Sequence, residues 1–127
     1  MTVTLGLLAS LVSIEASASI TTGNGELLLD NCFYMVGDDG DTARPGGDIR
    51  SYVGSGACAG LVQGAMEPMI LFNHKLPPKS RICVPDDLST NVAVKIVYKF
   101  LKQNPGLRNE PETALVLLAL KKPYPCQ

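Results

Sequence analysis

The chain has 127 residues, a formal net charge of −1 and four cysteines, with only three Phe, four Tyr and no Trp. This length predicts one domain whose modest core is built mainly from aliphatic side chains. Because a near-neutral protein has no net field that attracts phosphates, the charge argues against binding to nucleic acid or to an acidic membrane surface.

The first 18 residues have the pattern of a secretory signal peptide. Residues 5–14 form an apolar run that is too short to span a bilayer. Ala16-Ser17-Ala18 then supplies small residues at the positions that signal peptidase requires, so cleavage is predicted after Ala18. Glu15 is the only charged residue in this segment, so the exported chain would have a net charge of zero. The alternative interpretation is a buried first helix.

Two helices are predicted on either side of a segment rich in Gly, Asp and Pro. Asn24 is expected to cap the first helix, which covers roughly three turns. Residues 37–47 show neither helix nor strand periodicity and are predicted to form a mobile surface loop. The second helix is predicted from Ile49 to about Glu67, where Pro68 is expected to kink or restart it.

Three glycines, Gly56, Gly60 and Gly64, recur every four residues along the second helix. Glycine in a helix lowers stability by up to about 1 kcal/mol relative to alanine. Three glycines on one side of a helix therefore suggest an interaction that offsets this loss. They predict a groove that another helix backbone approaches closely. That backbone belongs either to the first or third helix of the same chain or to a second copy, and both alternatives stay open from the sequence.

A third helix is predicted after a loop that covers residues 73–87. Ser89 is expected to cap it, and its polar side carries Lys95, Lys99 and Lys102. A lysine stripe of this kind is often only a solvated helix face. Its functional interpretation is a surface for an acidic partner.

A fourth helix is predicted from a capping box formed by Asn109 and Glu112, and Pro123 is expected to end it. Its buried stripe is predicted to consist of Ala114, Leu115, Leu118 and Ala119. The chain is therefore predicted to be all-α, a compact four-helix domain made of two antiparallel helical hairpins.

The four cysteines can pair in three ways. Cys32 near the end of the first helix and Cys58 in the first half of the second come close in an antiparallel hairpin. Cys83 precedes the third helix and Cys126 follows the fourth, again at adjoining ends. The predicted pairs are therefore Cys32–Cys58 and Cys83–Cys126, each worth about 3 to 4 kcal/mol. A metal site made of four thiolates would need CxxC-type spacing, which is absent, and disulfides agree with export.

The residue combinations of an enzyme or a metal centre are missing from the sequence. His74 is the only histidine, and with two disulfides no thiol would remain to act with it as a nucleophile. Asp38, Asp39 and Asp41 lack the ligand spacing and the closing Glu of an EF-hand. We therefore expect no catalytic residue, no metal site and no cofactor.

Five segments in order resemble the Rap1a/Tai immunity proteins of bacterial type VI secretion. They are spread over residues 23–126: Asn24-Gly25-Glu26-Leu27-Leu28 with Cys32; residues 58–64; Ile82-Cys83-Val84-Pro85; residues 97–101 with Asn104-Pro105; and residues 114–120 through Tyr124-Pro125-Cys126. The resemblance implies a periplasmic, all-helical and usually homodimeric protein that binds and blocks a peptidoglycan-cleaving amidase effector. A small periplasmic stress chaperone is the alternative function.

Inhibition by occlusion needs an exposed, stiff segment, because ordering a mobile loop costs about 1 to 2 kcal/mol per residue. The connection between the third and fourth helices, residues 104–110, fits this need because Pro105 and Pro111 restrict it. Leu107 and Arg108 would then contact the partner. The loop from Asn73 to Lys79 is the next candidate, and the lysine face with Lys95, Lys99 and Lys102 is a further one. The alternative is a plain turn whose Leu107 packs inward.

Overall fold

The computed structural model describes residues 23–37 and 47–127. The predicted signal peptide and residues 38–46 of the predicted loop lie outside the described residues. Four helices are present within them: α1 (Gly25–Val36), α2 (Ile49–Phe72), α3 (Thr90–Gln103) and α4 (Glu112–Lys121). Short 3₁₀ turns and two isolated β-bridges complete this part of the chain, which contains no strand. The all-α prediction is confirmed.

Side-chain caps start three of the helices. The Leu27 N–H donates to Asn24 Oδ1 at 3.2 Å, and the Val92 N–H donates to Ser89 Oγ at 3.3 Å, so both predicted caps are confirmed. At α2 the Ser51 N–H donates to Asp48 Oδ1 at 2.9 Å. Hydrogen bonds from the backbone and then the side chain of Ser51 stabilise the charged form of Asp48. They therefore lower the pKa of Asp48 below its usual value.

The predicted start of the fourth helix is wrong. Pro111, not Asn109, occupies the N-cap position of α4, and no side chain caps this helix. Instead, the Glu112 N–H donates to the carbonyl oxygen of Gly23 at 3.1 Å. The backbone carbonyl of Gly23 thus accepts the hydrogen bond from the Glu112 N–H that the Asn109 side chain was predicted to accept.

Pro68 neither ends nor restarts the second helix, since α2 continues through it to Phe72. A proline at this position removes the N–H that would donate to the carbonyl of Gly64. Both residues are exposed, so water can bind the carbonyl that is left over. The predicted restart at Pro68 is therefore wrong, since the helix continues and its free carbonyl faces solvent.

Both predicted disulfides are confirmed. Cys32 and Cys58 are joined with a Cα–Cα distance of 5.1 Å, and Cys83 and Cys126 with 5.0 Å. The first pair is fully buried in the core, whereas Cys83 is exposed. The other fully buried side chains are aliphatic and come from all four helices: Leu28, Val36, Val62, Val94, Val97, Leu101, Leu115, Val116 and Leu120. Each helical hairpin thus contains one disulfide. The disulfide of the α1–α2 hairpin lies in the core, and that of the α3–α4 hairpin lies at the surface.

The predicted buried stripe of α4 is half wrong. Ala114 and Leu118 are exposed, and Val116 and Leu120 are buried with Leu115 and Ala119 in their place. This helix is apolar on nearly every side, so its sequence carries no clear period that marks the inward face. Among the described helices none is long and apolar enough to cross a membrane.

Candidate functional site

The connection between α3 and α4 is tied to the start of α1 by backbone hydrogen bonds. The Gly25 N–H donates to the carbonyl of Glu110, and the Glu26 N–H donates to that of Arg108, both at 3.2 Å. Asn24 also forms an isolated antiparallel bridge with Pro111. These links join two distant parts of the sequence and make the connection a supported surface segment.

Arg108 is held by its own chain. Its Nε donates to the carbonyl of Leu101 at 2.9 Å and its Nη2 to that of Lys102 at 3.4 Å. Its Nη1 lies 3.8 Å from Glu26 Oε1. The guanidinium therefore satisfies carbonyls at the carboxyl end of α3 and positions the connection. Its predicted contact with a partner stays a prediction.

Leu107 lies at the surface of the same connection. Its side chain is 38% exposed, so it does not pack inward as the alternative required. Because the backbone behind it is hydrogen-bonded to α1, Leu107 is an apolar contact on a supported segment. Leu107 and Arg108 were both predicted to contact the partner, but their surroundings differ. Leu107 is partly exposed to solvent, whereas Arg108 is held in intramolecular hydrogen bonds.

The predicted lysines of α3, Lys95, Lys99 and Lys102, are all exposed. Lys99 lies at a groove of about 330 Å³ between α3 and α4, and Lys122 lines the same groove. The remaining lining residues are mainly apolar: Ile96, Phe100, Gln103, Ala119 and Pro123. The sequence analysis missed Lys122 as a surface residue of this groove, since nothing in the local pattern places the end of α4 beside the middle of α3.

Gly56, Gly60 and Gly64 of α2 pack against no helix in the described part of the chain. A Cβ atom added at Gly56, Gly60 or Gly64 would meet nothing within 4 Å. The alternative in which α1 or α3 fills a glycine groove is therefore wrong. The close approach occurs at Gly54, where an added Cβ would lie 2.8 Å from the Tyr34 ring.

The exposed glycines belong to a longer apolar surface that we call the α2 face. By helical spacing it comprises Ile49, Val53, Gly56, Gly60 and Gly64, all exposed, and the exposed carboxylate of Glu67 ends its apolar part before Leu71. Ile49 is 81% exposed and Val53 is 64% exposed. Exposed apolar surface of this kind marks interaction sites, so the α2 face is a second candidate contact surface.

No group of three or more His, Cys, Asp or Glu side chains that could hold a metal ion occurs in the described part of the chain. All four cysteines are consumed by the disulfides.

A family model of the Rap1a immunity proteins matches residues 24–126. The chain belongs to the Rap1a immunity protein family. Searches among curated proteins and among solved structures gave no match. Membership of this Rap1a family implies binding of an effector toxin and, in general, no catalytic activity. Together with the two disulfides it indicates an extracytoplasmic location.

Proposed function

We propose that this Rap1a family protein is exported to the periplasm and inhibits a peptidoglycan amidase effector of a type VI secretion system. The family match over residues 24–126 carries the proposal. The two disulfides support it, since disulfides persist in oxidising compartments such as the periplasm. Residues 1–18 would serve as the signal peptide.

The proposed mechanism is occlusion of the amidase by the connection between α3 and α4. Hydrogen bonds to α1 already order this segment, so binding loses little further conformational entropy. Leu107 supplies an apolar contact, and Arg108 holds the segment in place. The exposed lysines, Lys95, Lys99 and Lys102, would attract an acidic surface of the enzyme and raise the association rate.

Replacing Leu107 with alanine is expected to weaken binding of the cognate amidase by about tenfold. The free energy of unfolding should fall by only about 1 to 2 kcal/mol, because the side chain is 38% exposed and only its covered part is lost from the packing. Arg108→Ala should weaken binding and also lower the free energy of unfolding by about 1 to 3 kcal/mol, since it leaves carbonyls at the end of α3 without a donor. Isothermal titration calorimetry and urea unfolding measure the two effects.

Ile70→Ala is the matched control, because Ile70 has a similar exposure of 39% and lies on α2. Its affinity should equal that of the wild type. Unchanged affinity of the Leu107 variant would remove the connection from the interface and leave the lysine surface as the candidate. Failure of the wild-type protein to bind the amidase would contradict the proposed function itself.

The α2 face is proposed to join two copies of the protein in a homodimer. Glycines let two helix backbones approach closely, and a two-fold axis would place the same surface of each copy against the other. The open space beside Gly56, Gly60 and Gly64 supports this proposal. The second copy would cover Ile49 and Val53, which a monomer leaves in water.

Gly60→Leu is expected to convert the dimer to a monomer without loss of helix. The new side chain enters open space in the single chain but would hold apart two helices that pack at this glycine. Analytical ultracentrifugation reports the oligomeric state, and circular dichroism reports the helix content. Gly106→Leu, at another glycine with nothing within 4 Å, should remain dimeric. A wild-type protein that sediments as a monomer at high micromolar concentration would rule the dimer out.

A further inference from the structure

A second groove, the α4 groove, lies between α4, the end of α2 and the segment before Cys83. It has a volume of about 480 Å³. Its lining is almost wholly apolar: Met69, Leu76, Ile82, Ala114, Leu117 and Leu118, with Ser80 and Lys121. Leu118 is 48% exposed although it belongs to an apolar helix. The chain therefore leaves an apolar surface of ligand-binding size uncovered here.

The walls of the α4 groove are supported by contacts within the chain. Arg81 Nε donates to the carbonyl of Leu76 at 2.9 Å, and the Ile82 N–H donates to Asn73 Oδ1 at 2.9 Å. The disulfide between Cys83 and Cys126 joins this segment to the residues after α4. A groove supported in this way needs little reorganisation when a partner enters it.

The lining of the α4 groove holds one charged residue, the cation Lys121, and no Asp or Glu. Arg81 adjoins the lining, since its Nε donates to the carbonyl of Leu76. Lys121 Nζ donates to the carbonyl of Lys79, which fixes one cation at the rim. A chain with a net charge of −1 thus carries a local excess of positive charge at this groove.

We propose that the α4 groove binds a segment of the effector in which a bulky apolar side chain is flanked by carboxylates. The inference rests on the proposed function, since the partner is the amidase. The apolar side chain would contact Leu117 and Leu118, and the carboxylates would lie near Lys79 and Lys121. A second copy of the chain fits less well, because two-fold pairing of this groove would bring two cationic rims together.

The test measures binding of the cognate amidase to full-length exported protein and its variants. Leu118→Glu places a charge on the apolar surface and should weaken binding by about tenfold or more. Leu27→Glu is the matched control, with 50% exposure on α1 outside the groove, and should bind within about twofold of wild type. Lys79 is exposed in a loop, so Lys79→Glu should not unfold the protein. This variant should weaken binding at low NaCl concentration, and the loss of affinity should become smaller as NaCl is raised.

Three outcomes are distinguishable. Weaker binding by Leu118→Glu and Lys79→Glu, with Leu27→Glu unchanged and all circular dichroism spectra alike, supports the inference. If the wild type binds and both groove variants bind equally well, the α4 groove inference is overturned while the proposed function stands. If the wild type does not bind the amidase at any salt concentration, the proposed function and the inference both fail.

Discussion

Replacing Cys32 and Cys58 together with alanine is expected to lower the free energy of unfolding by about 3.5 kcal/mol through chain entropy alone, for a sequence separation of 26 residues. Both cysteines are fully buried between α1 and α2, so the lost sulfur atoms also leave a cavity in the core and add to the cost. Small domains have only about 5 to 15 kcal/mol of stability in total. Urea unfolding of the double variant measures the loss.

The double variant Cys83→Ala and Cys126→Ala is the comparison that separates the two contributions. The Cys83–Cys126 disulfide closes a longer loop, with a sequence separation of 43 residues. Chain entropy alone therefore predicts a loss of about 4 kcal/mol in the free energy of unfolding. This pair lies partly in solvent, so little packing is lost with it. We expect the Cys32 and Cys58 variant to be the less stable of the two. The reverse order would show that loop length outweighs core packing in this protein.

Gly25→Ala is expected to lower the free energy of unfolding by about 1 to 3 kcal/mol. An added Cβ would lie 2.5 Å from the Leu115 side chain and 2.8 Å from the Cα atom of Arg108. The second contact is with backbone, so the connection between α3 and α4 must move as a unit. This movement would strain the hydrogen bond from the Glu26 N–H to the Arg108 carbonyl. Urea unfolding again gives the magnitude.

Gly56→Ala is the matched control for Gly25→Ala. Gly56 lies within α2, where an added Cβ meets nothing within 4 Å. In the Gly60→Leu background, which is expected to be monomeric, alanine there should raise the free energy of unfolding by about 0.5 to 1 kcal/mol, because glycine is the poorer helix former. Equal effects of the two substitutions would contradict the close contact between α1 and the connection. If the connection contacts the amidase, Gly25→Ala should also weaken that binding.

Much of the local structure of this protein follows from short-range chemistry. Asn24 and Ser89 cap helices because their side-chain oxygens can reach the N–H three residues ahead, whatever the rest of the chain does. The pairing of Cys32 with Cys58 and of Cys83 with Cys126 follows from the order of four helices in two hairpins. Family membership was also predictable, since the resembling segments span the range that the family model matches.

Which apolar residues face the core depends on the tertiary packing of the helices. Both α2 and α4 are apolar on almost every side, so a 3.6-residue period selects no single face in either helix. Only the packing of α1 and α3 against them shows that Gly56, Gly60 and Gly64 border open space and that Leu118 lines a groove. The start of α4 is similar, because the hydrogen bond from Glu112 to Gly23 joins residues far apart in sequence. Local chemistry therefore specifies the four helices and the caps at Asn24 and Ser89, and the order of the helices specifies the disulfide pairs. The start of α4 and the exposed contact surfaces arise from long-range packing that no local pattern records.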